Sequence, residues 1–285
     1  MAESQSRRRT GPTRGLRCQA LLWRRSDFRE TSRVVTLATR DHGLVRALAK
    51  GAHRPDSVFL GRLDFLNELT IQLSAERGGL RLLLRADLVH ERRSLRTTRR
   101  FLAASHLAFV SNFGFAPDQP APELFDLLAG GLTLIERCPE AALMHVTLGL
   151  ELRLLAQFGA LPDLDHCGEC GAELELAYRG EVLGGLACRR HAASPRQTIS
   201  SQTLQLLRQL RDNPGRSWPQ LAQTPLSAAD VALPAQWLAG AIECRSPLRN
   251  RLFAATSRNG PEPQRSTNPD RPRSDNAMRA VDNDG

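Results

Sequence analysis

Up to Val89 the apolar positions tend to recur every second residue, and beyond Ser94 they recur at helical spacing. Within Ser32–Ser57, Val34, Thr36 and Ala38 alternate with Val35, Leu37 and Thr39, small and β-branched residues that suit a pleated strand. Asp41-His42-Gly43 is a short polar turn whose glycine can take a positive φ. Leu44–Ala49 is apolar again, interrupted by Arg46. The pattern predicts a β-hairpin that leaves through Lys50-Gly51-Ala52-His53-Arg54-Pro55, where Pro55 ends the strand for want of an N–H.

A hairpin alone is marginal, and the flanks supply its partners. Arg17–Phe28 precedes it, and Gly61–Ser74 follows with Leu69, Ile71 and Leu73 on one face. After a turn at Glu76-Arg77-Gly78-Gly79 comes Leu80–Val89. Five strands with no helical pattern between them predict a small closed barrel, because closure removes exposed edges. The strand count points to an oligonucleotide-binding (OB) type of barrel.

Phe101, Ala104, Ala108 and Phe113 then form a helical stripe that ends near Gly114. Pro122–Arg137 is a second helix, in which Gly130-Gly131 implies close packing. The third, Glu140–Phe158, is apolar on almost all sides and is therefore expected at the centre of a helical domain. Thr198–Arg211 and Ser227–Arg245 read as further helices, separated by a connector with Pro214, Trp218, Pro219 and Pro225. The expected fold class is α+β, a five-stranded OB barrel followed by an all-α domain. The expected divisions are a disordered arm over 1–15, the barrel over 16–93, and the helical domain over 94–163 and 195–255. A cysteine-bearing insertion occupies 164–194, and 256–285 is a polar tail too poor in apolar residues to fold.

Charge sharpens this picture. The formal net charge is +9, and Lys50 is the only lysine, so the positive charge is almost all arginine. Such a balance favours an anionic partner, with nucleic acid first and a membrane surface second. No apolar run reaches the length of a membrane span, and no apolar stretch follows Arg7-Arg8-Arg9 as a secretory signal would require.

The six cysteines are not a secreted disulfide framework. Cys167-Gly-Glu-Cys170 is followed, after a gap, by Cys188-Arg-Arg-His191. Each pair is a knuckle, with Gly168 and Gly171 allowing the tight turn at the first, and the Ala177–Gly185 segment reads as a hairpin that brings the pairs together. Four soft or borderline ligands at this spacing suit tetrahedral Zn²⁺, and with no open position the site would be structural. His166 is a neighbouring competitor whose place beside Cys167 is sterically poor for the same tetrahedron.

The chain resembles the RecO family of bacterial recombination mediators. The residues that carry the resemblance are Ala20–Leu22, Asp27–Arg33, Thr39–Gly43 and Ala49–Ser57. Leu150–Leu155 with Gly159 and Pro162, the cysteine pairs and Ser246–Arg251 follow in the same order. The last ligand, His191, stands where the family pattern usually has cysteine. The resemblance implies an OB domain, a helical domain and a zinc knuckle. It also implies binding of single- and double-stranded DNA, annealing of complementary strands, and help in loading recombinase onto strands coated by single-strand-binding protein. The implied partners are a RecR-like protein and the acidic-hydrophobic tail of single-strand-binding protein, the implied location is the cytoplasm at the nucleoid, and no catalytic residues are implied.

Phosphate contact needs positive charge on one face of the barrel. The candidates are Arg24, Arg25, Arg46, Lys50 and Arg54, with Arg92 and Arg93 at the barrel exit. The nearby aromatics Trp23, Phe28, Phe59 and Phe65 read as core more than as stacking platforms, so sequence-independent binding is expected. An acidic peptide would need a cationic rim, for which Arg99, Arg100, Arg137, Arg153 and Arg208 are available. The alternative is an OB-plus-zinc module that binds RNA or serves translation, and a third reading is a protein adaptor. With no P-loop, nucleophile elbow or open metal site, the chain is not expected to be an enzyme.

Overall fold

The computed structural model describes residues 15–75, 80–180, 185–194 and 198–254. The expected N-terminal arm and C-terminal tail lie almost wholly outside the described residues.

Five strands close a barrel: β1 (Leu16–Phe28), β2 (Ser32–Thr39), β3 (Gly43–Ala49), β4 (Glu68–Leu73) and β5 (Arg81–His90). Their order is β1-β2-β3-β5-β4, with β1 long enough to pair with both β2 and β4. Closure comes from a short parallel pairing of β3 with β5, at Ala47 with Arg81 and Leu48 with Leu82. This is the OB-like barrel that the alternation predicted. Alternate residues fill its interior, among them Leu22, Val35, Leu37, Ala47, Leu69 and Ile71. The strand expected over Gly61–Ser74 begins only at Glu68, because Gly61 (φ 71°) and Leu66 (φ 61°) break the extended backbone before it.

The register of β1 shifts between Leu22 and Arg24. Trp23 is the unpaired residue of this bulge and, like Leu21 two positions before it, faces out of the barrel. Its Nε1 donates to Asn112 Oδ1 at 3.1 Å, and its ring meets Phe115 edge-on at 5.7 Å. Leu21, Trp23, Ala38 and Leu66 therefore belong to the core of the helices rather than to that of the barrel. Gly43 completes the junction: at φ 62°, a Cβ there would lie 1.9 Å from the carbonyl oxygen of Ala116.

The helices are α1 (Thr98–Ser111), α2 (Pro122–Arg137), α3 (Leu143–Gln157), α4 (Ser201–Asp212), α5 (Ala228–Ala241) and α6 (Pro247–Ala254). As the all-round apolar pattern predicted, α3 is buried along nearly its whole length, and α1, α2, α4 and α5 pack around it. The Pro-rich connector is a 3-10 turn that seals this centre, with Trp218 packed onto Gly149. Of the glycine pair in α2, Gly131 lies against Leu150 and Leu107, whereas Gly130 faces open space. Phe101 and Phe113, expected in the stripe of α1, are about half exposed at 46% and 49%.

The helix expected over Ser227–Arg245 stops at Ala241, Glu243 (φ 50°) leaving the helical backbone, and Pro247 opens α6 as a separate helix. A buried polar network docks it. Arg249 donates to both carboxylate oxygens of Glu151 on α3, at 2.6 and 2.8 Å. His106 on α1 lies 2.8 Å from Glu151 and 2.9 Å from Ser246 Oγ. Burial opposes ionisation of Glu151, but the Arg249 charge and the hydrogen bonds outweigh it and hold the carboxyl below its ordinary value.

Candidate metal centre and nucleic-acid face

The metal-ligand spacing folds as its glycines suggested. Cys167 N–H donates to Ala172 O and Gly171 N–H to Cys167 O, closing the first knuckle, with Gly171 at φ 70°. Gly168 N–H donates to Leu186 O, which fastens this knuckle to the strand before Cys188. That strand, β7 (Leu186–Ala187), pairs with β6 (Ala177–Arg179), which also pairs with β8 (Thr198–Ile199). The sheet under the cysteines thus extends past the expected boundary at residue 194, while the tip of the expected hairpin lies outside the described residues. The segment is fixed to α4 through Arg208, which donates to the carbonyls of Leu164 and Leu174.

The ligand atoms of Cys167, Cys170, Cys188 and His191 all lie within 4.8 Å of one another. His191 Nδ1 is 3.6 Å from Cys167 Sγ and 3.5 Å from Cys188 Sγ, and the Sγ atoms of Cys170 and Cys188 are 3.9 Å apart. Tetrahedral bonds of about 2.3 Å to sulfur and 2.0 Å to nitrogen imply edges of about 3.8 Å and 3.5 Å. These three edges match such a tetrahedron, and the donor set suits a metal ion of that size. Burial opposes the Cys167 thiolate, but backbone N–H groups of Cys188, Cys170 and Glu169, with the His191 ring, outweigh it and bring the thiol down to about 6. The neighbouring thiols hold the His191 imidazole above its ordinary value. His166 points elsewhere, its Nδ1 lying 3.2 Å from Asp163 Oδ2.

On the barrel, cross-strand register brings candidate arginines together. Arg24 on β1 lies opposite Thr36 on β2, and Thr36 lies opposite Arg46 on β3. Both arginines are exposed, and neither has a carboxylate partner among the described residues. Lys50 and Arg54, also exposed, sit in the loop after β3. That loop is tied to the β1–β2 turn: His53 N–H donates to Thr31 O, and Asp27 lies 2.9 Å from His53 Nε2 and 3.0 Å from Arg33 Nε. The turn itself carries Arg29, at φ 55°, whose guanidinium lies over the Phe28 ring at 5.4 Å. Arg29 escaped the sequence reading, although its place between two predicted strands was the available signal.

The remaining candidates separate. Arg25 turns to the other side, donating to Leu63 O and pairing with Asp64 at 3.2 Å. Arg93 is exposed and pairs with Glu91. Arg92 must be taken off the phosphate face: its side chain is 1% exposed and is spent on Glu136, Glu68, Thr133 and the Ala129 carbonyl. Trp23 and Phe59 are core, Phe65 packs on Phe101, and Phe28 is 41% exposed.

Comparison with known proteins agrees with this architecture. The family model described as "Recombination protein O N terminal" matches residues 14–92, and "Recombination protein O C terminal" matches residues 95–244. A DNA repair protein RecO of Synechococcus is 34% identical over 226 residues, covering 74% of this chain and 72% of that one. That of Rhodopirellula baltica is 33% identical, covering 68% and 74%, and that of Heliobacterium modesticaldum is 31% identical, covering 81% and 85%. Two matched family models in sequence order, one on the barrel and one on the helices, establish that the chain belongs to the RecO family of DNA repair proteins.

Proposed function

We propose that this chain is a recombination mediator that acts by binding: it holds single- and double-stranded DNA through phosphates, anneals complementary strands, and helps load recombinase on strands coated by single-strand-binding protein. The observation that carries the reading is the Arg24–Thr36–Arg46 row, its two arginines exposed and its threonine half-buried, continued by exposed Arg29, Lys50 and Arg54 at one end of an OB-like barrel. Arginine forks and a hydroxyl suit phosphate oxygens and carry no base code. Phe28 at the same end offers one ring for stacking.

The metal is zinc, held by Cys167, Cys170, Cys188 and His191, and it supplies cross-linking of a segment too small for its own core. The acidic-hydrophobic tail of single-strand-binding protein is one partner. The best support for a slot is a cavity of about 680 Å³ between α3, α5 and α6, lined by Met144, Leu226, Val231 and Phe253 among others. Of the expected rim arginines, Arg99, Arg100, Arg153 and Arg208 are engaged in internal contacts, and Arg137 is exposed at the end of α2. A RecR-like protein is the other partner. Among the described residues no helix is long and apolar enough to cross a membrane, in keeping with work at the nucleoid.

The test is annealing of two complementary labelled strands, each coated with single-strand-binding protein, across a salt series. Acceleration that fades with salt is the expected result. Binding without acceleration, together with preference for structured RNA over single-stranded DNA of equal length, would replace this reading with the RNA-binding one.

A further inference from the structure

The barrel carries a second row of the same pattern, two arginines flanking an uncharged polar residue, on a different face. Arg17 on β1 lies opposite Gln72 on β4, and Gln72 lies opposite Arg85 on β5. An arginine, an uncharged hydrogen-bonding side chain and another arginine thus sit side by side on three neighbouring strands. Arg24, Thr36 and Arg46 do the same on β1, β2 and β3. With neighbouring strands about 4.8 Å apart, the two arginines of each row stand roughly 10 Å apart at their backbones.

Arg17, Gln72 and Arg85 are all exposed. With Thr70, Ile71 and Asp87 they line a shallow cleft of about 230 Å³. Arg17 has no carboxylate partner among the described residues. Arg85 donates to Asp87 at 3.0 Å, and Arg62 also reaches Asp87 at 3.4 Å, so this carboxylate is shared and leaves positive charge in excess. Upstream of Arg17 the chain is basic as well, with Arg7, Arg8, Arg9 and Arg14. Because β2 and β4 flank β1 on opposite sides of the closed barrel, the two rows look out in different directions.

We propose that the Arg17–Gln72–Arg85 row is a second polyanion site, which takes the sugar–phosphate backbone of a second nucleic-acid strand while the Arg24–Thr36–Arg46 row holds the first. The proposal rests on the reading of the first row as a nucleic-acid surface. It gives annealing a physical basis. Two strands on one chain meet at high effective concentration, and the cationic barrel between them offsets their repulsion. Neither row reads bases, so strands of any sequence are accepted.

The experiment uses the full chain and two short, non-complementary single strands, one labelled with a fluorescence donor and the other with an acceptor. Energy transfer reports that both are held together. The wild type is expected to give transfer, and Arg17→Gln with Arg85→Gln is expected to abolish it. That variant should keep the affinity for one strand within about twofold and anneal complementary strands at least about tenfold more slowly, the salt exponent of second-strand binding falling by about 1.4. Arg17→Lys with Arg85→Lys should restore transfer. Asp87→Asn should strengthen second-strand binding, a gain that damage to the fold does not produce. Undiminished transfer and wild-type annealing in the double glutamine variant would overturn the proposal. If Arg24→Gln with Arg46→Gln leaves first-strand binding unchanged, it is the underlying reading of the first row that fails instead.

Discussion

Arg92 Nη1 donates to Glu136 Oε2 at 2.7 Å, and the two side chains are 1% and 6% exposed. The pair joins the exit of the barrel to α2. Around it, Arg92 also donates to Thr133 Oγ1 and the Ala129 carbonyl, and its backbone N–H reaches Asn67 Oδ1. Removing one partner of a buried pair strands the other, which costs about 3–5 kcal/mol. Arg92→Met is therefore expected to lower the unfolding free energy by roughly that much in a urea titration. Glu136→Gln should cost less, because the amide oxygen still accepts. DNA affinity of the folded Arg92→Met protein should keep its wild-type salt dependence, since this guanidinium faces no solvent.

The same carboxylate makes stability depend on acid. Burial raises the Glu136 pKa, but hydrogen bonds from Arg92 and Ser94 and the Arg92 charge outweigh it, leaving the pKa below the ordinary 4.5. The unfolded chain thus binds this proton first as pH falls. The contribution is fully present above about pH 4.5 and is lost as pH drops through the lower, folded value. Urea stability measured from pH 6 to pH 3 should fall faster for the wild type than for Glu136→Gln, and parallel curves would count against the clamp.

For the Cys167–Cys170–Cys188–His191 cluster, about one metal ion per chain is expected by elemental analysis after purification. Cys170→Ser should lose it. His191→Cys should retain it, because a thiolate at that vertex keeps four ligands. Chelation is expected to speed proteolysis within residues 164–199 while leaving DNA binding by the barrel in place. Equal proteolysis with and without chelator would show that the β6–β7–β8 sheet holds the segment unaided.

Period-two alternation made the barrel legible, since a strand with one face inside must place Val35 and Leu37 inward and Thr36 outward. The helices were legible where one stripe was dense, as in α3. Legibility failed where tertiary contact overrode the local pattern. Trp23 sits on the outer face of β1 and is buried only because Asn112 and Phe115, far along the chain, cover it. Arg92 looks like any basic residue until α2 brings Glu136 to it. The Cys167–Cys170–Cys188–His191 cluster was readable because spacing alone constrains candidate metal ligands. The alignment of Arg24 and Arg46 on either side of Thr36 was not, because it depends on register across three strands.

That register gives the proposed phosphate face its sharpest prediction. Arg24 and Arg46 flank Thr36 on an open surface, and neither is held by a carboxylate among the described residues. Two phosphate contacts to single-stranded DNA contribute about 1.4 to the slope of log K against log salt. Arg24→Gln with Arg46→Gln should reduce the slope by about that amount and weaken binding uniformly across sequences, because phosphates carry no base code. Arg93 already donates to Glu91 and follows β5, outside the three strands that carry this row. Arg93→Gln should therefore change the slope by much less, although the charge removed per residue is the same. Equal effects from the two sets, measured over one salt series, would mean that the whole cationic surface, and not this row, sets the affinity.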